Sequence, residues 1–332
     1  MVYAAFRSVG SYIPKNILTN EDLEKIVDTS DEWITKRTGI KTRYIADKEE
    51  STSDLGLKAA KVAIERARIN ENDLDMIICA TISPDFFCMP STACMIGKKL
   101  GVSNIPSFDI SAACSGFIYA LAMAKSFIES NMAKNILIVG AEKLSAIVDY
   151  SDRTTCVLFG DGAGAAIISA TEKKEEAIID VNISADGKYH DYLITPGCGT
   201  NNPCSEEAIK EHACFMKMKG NETFKVAVKT LTNDVIDILK KNGIKSENID
   251  HFIPHQANYR ILNAVANALK LKDEQVVMTV SKYGNTSSAS IPMAMSDLYE
   301  QNRLKKGDLM LLDAFGGGFT WGSAIVPFSP FN

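Results

Sequence analysis

The chain has no uninterrupted apolar stretch near the ~20 residues that a bilayer-spanning helix needs, which predicts a soluble protein that does not enter the membrane. Its N-terminus, MVYAAFRSVGSYIPKN, lacks the charged start and long apolar run of a secretory signal, so a cytoplasmic location is expected. Positive charge is not in excess: the net charge of −5 leaves no footprint for nucleic acid. No CxxC occurs among the eight cysteines (79, 88, 94, 114, 156, 198, 204 and 214). The four histidines (190, 212, 251 and 255) are not spaced beside them as zinc ligands are, so no metal is expected. No Walker A pattern is present, and no linker rich in Pro, Gly or Ser divides the chain. At 332 residues, 46% of them hydrophobic, there is ample apolar material for one large or two medium domains sharing a core.

The most informative stretch is Asp109 to Asn131, DISAACSGFIYALAMAKSFIESN. A short strand, Ile105 to Ile110, meets a turn of small residues, and a long apolar helix follows. Phe117, Leu121, Ala124 and Ile128 recur at helical spacing, with little polar surface before Lys125, which predicts a helix buried inside a large domain. Cys114 stands where the strand becomes the helix. There, unpaired backbone N–H groups and the positive end of the helix dipole favour thiolate. Most free cysteines are nonetheless small buried hydrophobes, and Cys114 alone reads either way. Cys79 and Cys156 lie in apolar runs and read as core, while Cys88, Cys198, Cys204 and Cys214 read as reduced thiols in loops.

The remaining elements follow in order. A strand at Tyr3 to Ser11 leads to a helix start with a capping-box pattern at Thr19 to Asp22. A helix begins at Asp54, strands run from Leu74 to Thr81 and Asn135 to Glu142, and a helix spans Thr92 to Leu100. The second part of the chain replays the first: ARINENDLDMII resembles NGIKSENIDHFI, MAKNILIVGA resembles LKKGDLMLLDA, and FGDGAGAAIIS resembles FGGGFTWGSAIV. These three blocks, with the amphipathic helix that precedes the first block in each copy, make four in one order and imply two similar α/β halves, 1–172 and 173–332, about a pseudo-twofold axis. The helix after Cys114 then corresponds to Ser287 through Glu300, and His255 falls where Ala80 does, at a strand's carboxyl end. Ligands of open α/β sheets gather beyond such ends. The duplication therefore draws Cys114, His255 and Asn285 toward one site. By themselves His255 reads as a hydrogen-bonded structural histidine and Asn285 as a turn residue or helix cap. His251 begins its strand and belongs at the far end of the sheet. The glycine runs GDGAG and FGGG lead into strands, unlike a dinucleotide fingerprint, and suit tight turns or an oxyanion hole.

With Cys114 in AACSG, His255 in HQAN and Asn285 in GNTSSAS, the chain resembles the β-ketoacyl-acyl-carrier-protein synthase III family of thiolase-fold condensing enzymes. TSDEWITKRTGIKTRY, FGDGAGAA and FGGGFTWGSA extend the likeness nearly end to end. The resemblance implies an α/β, thiolase-like homodimer of duplicated halves in a five-layered αβαβα arrangement, with acyl-CoA and acyl carrier protein as partners. It implies that Cys114 carries an acyl group, that His255 and Asn285 stabilise a malonyl enolate, and that the N–H groups of Cys114 and Gly317 hold an oxyanion. Removing one such donor typically costs ~2.7–4 kcal/mol of barrier stabilisation. It further implies that Trp33, Arg37 and Arg153 bind the coenzyme's adenine and phosphate, and that Gly220, Phe224, Asn258 and Phe315 line the pantetheine tunnel. Gln256, Ala257, Asn258, Tyr259 and Arg260, with Lys225, match the carrier-docking segment, and no cofactor is needed. Two departures stand out: Met89 occupies a position that shapes the acyl pocket across the dimer interface, and segment 198–215 is longer than usual. Rival readings are a condensing enzyme with a different primer, a Cys–His thioester hydrolase, and a non-catalytic acyl-CoA-binding module.

Overall fold

The computed structural model describes residues 1–331. Up to residue 171 the strands are β1 (Tyr3–Tyr12), β2 (Asn16–Thr19), β3 (Thr42–Ile45), β4 (Met76–Ala80), β5 (Ser107–Ile110), β6 (Asn135–Glu142) and β7 (Gly162–Thr171). The helices among them are α1 (Asn20–Glu24), α2 (Asp31–Thr38), α3 (Thr52–Ala67), α4 (Thr92–Leu100), α5 (Gly116–Glu129) and α6 (Arg153–Cys156). Beyond them come β8 (Asp180–Ala185), β9 (Leu193–Ile194), β10 (Lys217–Met218), β11 (His251–Pro254), β12 (Leu309–Gly316) and β13 (Thr320–Pro327). The later helices are α7 (Glu206–Lys210), α8 (Gly220–Lys241), α9 (Tyr259–Ala268), α10 (Val280–Tyr283) and α11 (Ser290–Glu300). None of these helices is long and apolar enough to cross a membrane.

One sheet runs β1-β7-β6-β4-β5 and the other β11-β12-β13-β8. Reversed, the second order is β8-β13-β12-β11, in which each strand holds the place of β1, β7, β6 and β4. Even the edge recurs, because Val276 makes a lone parallel bridge to Phe252 where β5 flanks β4 in the first sheet. The repeated sequence blocks therefore fold into matching positions.

Successive residues in the strands face opposite ways, which explains their unbroken apolar runs: both faces are covered. On the outside of the first sheet, Ile77, Leu137 and Ile167 meet Leu55, Ala59 and Ala63 of α3 and Ile96 of α4. On its inside, Ile78, Ile138 and Ile168 meet Phe117, Leu121 and Ile128 of α5 and Ile291, Met295 and Leu298 of α11. That same helical pair is capped from the other side by Ile253, Leu312 and Val326 of the second sheet. The outer face of that sheet, Phe252, Leu311 and Ile325, packs on Leu231, Val235 and Ile238 of α8 and Val265 of α9. Five layers result, with the central one made of one helix from each repeat. Cutting Leu121 back to alanine in that layer costs about 2–5 kcal/mol by the usual scale for buried leucines.

Several boundaries differ from the sequence expectation for identifiable reasons. α3 starts at Thr52, not Asp54, because Ser51 is its cap and Asp54 closes a capping box from inside the first turn. The stretch Ser287 to Glu300 is a 3-10 turn, Ser287–Ala289, followed by α11, just as a 3-10 turn, Ala113–Ser115, precedes α5. The reduced-thiol expectation fails for one pair: Cys198 and Cys214 are joined by a disulfide. Gly197 N–H donates to Ala213 O at 2.7 Å, so the ends of the 198–214 excursion lie side by side and set the next two Cα atoms 5.8 Å apart. Cys79 and Cys156 are buried, as expected.

Candidate active site

A cavity of about 600 Å³ opens beside the exposed Arg37 and Arg153 and ends at Cys114, His255 and Asn285, each at least nine-tenths buried. Cys114 reaches its floor through an unusual backbone turn. Ala113 has φ +46°, a left-handed conformation that is uncommon for a residue with a side chain, and Ser115 Oγ locks the turn by donating to Ala112 O at 2.7 Å. β12 ends against this turn: a Cβ on Gly316 would fall 2.6 Å from the Cys114 nitrogen, so only glycine fits. The equivalent turn of the other repeat has Ser287 at φ +49°. Ser288, the counterpart of Cys114, places its Oγ 2.8 Å from Ala80 O and 2.9 Å from Glu142 Oε1.

The electrostatics correct the thiolate expectation for Cys114. Burial pushes its thiol up to about 12; the Ser287 hydroxyl acts the other way, and the buried Glu142 carboxyl adds to the rise. Cys114 therefore rests as a neutral thiol. Burial also holds the His255 imidazole down at about 3, so it too is neutral. Its Nδ1 lies 2.6 Å from Ser290 Oγ, to which Gln256 N–H also donates at 3.3 Å. The hydroxyl is assigned as the donor to Nδ1. The tautomer assigned from these bonds carries its proton on Nε2, the nitrogen left for the cavity. Asn285 serves as the turn residue that the sequence suggested. Its Oδ1 accepts Ser287 N–H at 2.9 Å, and the residue lines the cavity.

At the outer end the Trp33 ring lies against two guanidinium groups, Arg37 at 4.9 Å and Arg153 at 5.1 Å. Arg153 is held there by donating to Asp28 O at 2.6 Å. Gly220, Phe224, Lys225, Ala257, Asn258, Arg260 and Phe315 line the same cavity, with the Arg260 guanidinium 5.0 Å from the Phe224 ring centre. Asn258 caps α9 and donates from Nδ2 to Arg37 O at 3.2 Å, tying the α9 start to α2.

Four sequence-selected residues lie elsewhere. Gln256 is a correction: it is buried, its Nε2 donates to Pro254 O and Val277 O, and its Oε1 accepts from the Thr279 and Val280 N–H groups. An amide so occupied braces the loop and is not a docking surface. Tyr259 is exposed on the surface beside Gly39. Gly317 follows Gly316 but does not line the cavity, and Met89 is 80% exposed on a loop outside it. Sequence reasoning missed Ser290, Ser287 and Glu142. Only Glu142 left a signal, as a charged residue closing the apolar strand NILIVGAE. It is fully buried, and its carboxyl accepts from Ser83 Oγ at 2.7 Å and Ile82 N–H at 3.1 Å.

Comparison with known proteins gives this site a lineage. The family model described as 3-oxoacyl-[acyl-carrier-protein (ACP)] synthase III matches residues 108–187, and that of its C-terminal part matches 239–328. A β-ketoacyl-[acyl-carrier-protein] synthase III of a Sulfurovum species is 66% identical over 328 residues, covering 99% of this chain and 96% of that protein. The chain belongs to the 3-oxoacyl-[acyl-carrier-protein] synthase III family. The synthase III of Sulfurimonas denitrificans is likewise 66% identical, over 99% of both chains. The crystal structure of the Aquifex aeolicus synthase III superposes with a TM-score of 0.91 at 47% identity, over 98% of this chain and 100% of that one. The five layers described above are thus the thiolase fold of synthase III enzymes, and the chain is an acyltransferase of the condensing class.

Proposed function

We propose that the chain condenses acetyl-CoA, or another short acyl-CoA, with malonyl-acyl-carrier protein, giving 3-oxoacyl-carrier protein, CO₂ and CoA, and so initiates type II fatty-acid synthesis. The observation that carries this reading is one cavity with Trp33, Arg37 and Arg153 at its mouth and Cys114, His255 and Asn285 at its floor. The aromatic ring and two cations suit an adenine with its phosphates, and the passage past Gly220, Phe224 and Phe315 suits a pantetheine arm.

In the first step Cys114 Sγ attacks the acyl-CoA carbonyl, giving up its proton as the C–S bond forms. The acyl–CoA C–S bond then breaks, and the CoA sulfur leaves with its electron pair and takes up the proton that Cys114 gave up. The N–H groups of Cys114 and Gly317 receive the oxyanion; the close packing of Gly316 on Cys114 supports this pairing. In the second step malonyl-carrier protein loses CO₂, and the pair left behind develops as an enolate on the thioester oxygen. His255 Nε2–H and Asn285 Nδ2–H donate to that oxygen. Neutral donors suit the task, since decarboxylation itself makes the carbanion and no strong base is called for. The carbanion attacks the acyl thioester, the acyl–Cys114 C–S bond breaks with its electron pair going to Sγ, and Cys114 takes up a proton from solvent. No metal or further cofactor enters this chemistry.

Ala257, Asn258, Tyr259, Arg260 and Lys225 form the proposed docking face for the acidic carrier, with Arg260 and Lys225 steering it despite the chain's negative total. The exposed run of Phe86, Phe87 and Met89 supports a homodimer in which Met89 shapes the partner's acyl pocket. The matching strand orders support division into halves at 1–172 and 173–332, and the reading places the enzyme in the cytoplasm. Mixing the protein with a panel of acyl-CoAs and trapping the acyl group tests all of this at its centre. A short acyl chain on Cys114, passed to malonyl-carrier protein with a new carbon–carbon bond, is the expected result. A free acid without that bond would establish a hydrolase instead, and preference for a long or aromatic primer would move the enzyme to another condensation.

A further inference from the structure

Between β9 and β10 the chain makes a long excursion that the catalytic cavity does not use. Its ends meet where Gly197 N–H bonds Ala213 O, and a Cβ on Gly197 would stand 2.9 Å from the Ala213 backbone, so the approach depends on glycine. The next residue on each side is a cysteine, and these two form the Cys198–Cys214 bridge. A bridge needs two sulfurs, yet three are present. Cys204 comes back from the tip of the excursion, exposed and free, with the Sγ atoms of all three within 4.8 Å of one another. Its position is fixed from behind by Ser205, whose Oγ accepts Ala208 N–H at 3.1 Å and caps α7.

A free thiol held against a disulfide is the reactant pair of thiol–disulfide exchange, in which a thiolate displaces one sulfur of the bridge. We propose that Cys198, Cys204 and Cys214 form a thiol–disulfide exchange site through which small soluble thiols reach the excursion's bridge. Cys204 gives its proton to solvent and attacks Cys198 Sγ. The Cys204–Cys198 bond forms, the Cys198–Cys214 bond breaks, and the electron pair leaves on Cys214 Sγ, which takes up a proton. Attack on Cys214 is the mirror event and frees Cys198. One disulfide enters and one leaves, so no oxidant is consumed. Cys198 and Cys214 are half-buried whereas Cys204 is exposed. Exchange therefore carries the disulfide to the surface, where an external dithiol can reduce it and is itself oxidised to its cyclic disulfide.

The bridge stands between two functional neighbourhoods. Cys198 and Cys214 wall a second cavity, about 1030 Å³, whose far side includes Phe86, Phe87 and the Asp109–Ser111 run leading to Cys114. The chain is pinned on both sides of Cys214, by His212 Nδ1 to Asp149 Oδ2 at 2.6 Å before it and by Met216 N–H to Ile147 O at 2.9 Å after it, and then contributes Met218 and Gly220 to the catalytic cavity. Opening the bridge releases the Gly197–Ala213 clamp at the junction of both.

The test compares the whole wild-type protein with Cys204→Ser and Cys204→Ala in dithiothreitol redox buffers. Samples are acid-quenched, alkylated and mapped by peptide mass spectrometry, which keeps Cys114 on a separate peptide. Expected are wild-type disulfide peptides containing Cys204, and bridge reduction about tenfold faster in wild type than in either variant, as loss of an accessible exchange route requires. Peptides joining only Cys198 to Cys214, with equal reduction rates in all three proteins, would overturn the proposal. So would one equivalent of zinc in anaerobically purified wild type that both variants lack, since the sulfurs would then be metal ligands. Matching far-ultraviolet spectra and thermal midpoints establish that the variants are folded.

Discussion

Ser290→Ala isolates the link between the His255 imidazole and its support. The substitution removes the 2.6 Å contact at Nδ1 and leaves the Gln256 N–H, 3.3 Å from the same oxygen, without its partner. A buried polar group stripped of its hydrogen bond costs ~1–3 kcal/mol, so stability should fall by about that much. The catalytic effect is separate. Without the hydroxyl proton at Nδ1, nothing directs the imidazole proton to Nε2, and the ring loses a fixed orientation. Deleting an enolate donor outright costs ~2.7–4 kcal/mol; misdirecting one should cost about 1–2 kcal/mol, a fall of about 5- to 30-fold in decarboxylation. Release of CO₂ from malonyl-carrier protein, measured without acyl-CoA, reads that step, while the rate of Cys114 acylation should change less than about twofold. The same substitution in a His255→Ala background should have almost no further effect on CO₂ release, because the group it serves is gone. Full additivity in that background, or an unaltered single-mutant rate, would show that Ser290 does not act through His255.

Other expectations come from the same site. His255 is depressed to about 3 in the folded chain against about 6.5 unfolded, so its contribution to stability is present above about pH 6.5 and is lost as pH falls toward 3. The difference in unfolding free energy between wild type and His255→Gln should drop by roughly 4–5 kcal/mol across that window, and a flat difference in urea titrations would contradict a buried neutral imidazole. Cys114, raised to about 12, should react with iodoacetamide slowly at neutral pH, its rate climbing about tenfold per pH unit through pH 10; a plateau below about pH 8 would mean a pre-formed thiolate. Gly316→Ala drives a methyl group into the Cys114 nitrogen, so acyl-enzyme formation should collapse while the stability loss stays at about 1–3 kcal/mol. Intact-protein mass after acyl-CoA treatment reads the first effect and thermal melting the second.

The repeat made much of the architecture legible, because blocks as short as IDHFIP and LDMII share one pattern and fold to one strand position. Local chemistry at helix starts was legible in kind but not in register: Asp54 looked like the opening, and only the reciprocal capping bonds show that Ser51 is the cap. The position of Cys114 could be read from its small neighbours, but its protonation could not. That depends on burial within the fold, opposed by the Ser287 hydroxyl, more than 170 residues away in sequence. Gln256 shows the limit of a motif, which places a residue in a segment without saying that its amide turns inward. Ser290 and Glu142 act across separations of 35 and 146 residues, on His255 and from Ser288, and no local pattern announces such pairs. The Cys198–Cys214 bridge was hidden likewise, since nothing in the letters says that Gly197 and Ala213 touch.

The brace formed by Ser288 has a mechanical corollary. One hydroxyl from the later repeat rests on both the Ala80 carbonyl and Glu142, at the carboxyl ends of two neighbouring strands of the earlier repeat. Those strand ends are the ledge on which the Cys114 turn sits, and a Cβ on Gly116 would already crowd Ala80. Neither repeat can loosen alone without tilting the ledge. Heating or denaturant should therefore extinguish turnover in step with the collapse of either sheet, with no partly melted form retaining a working sulfur.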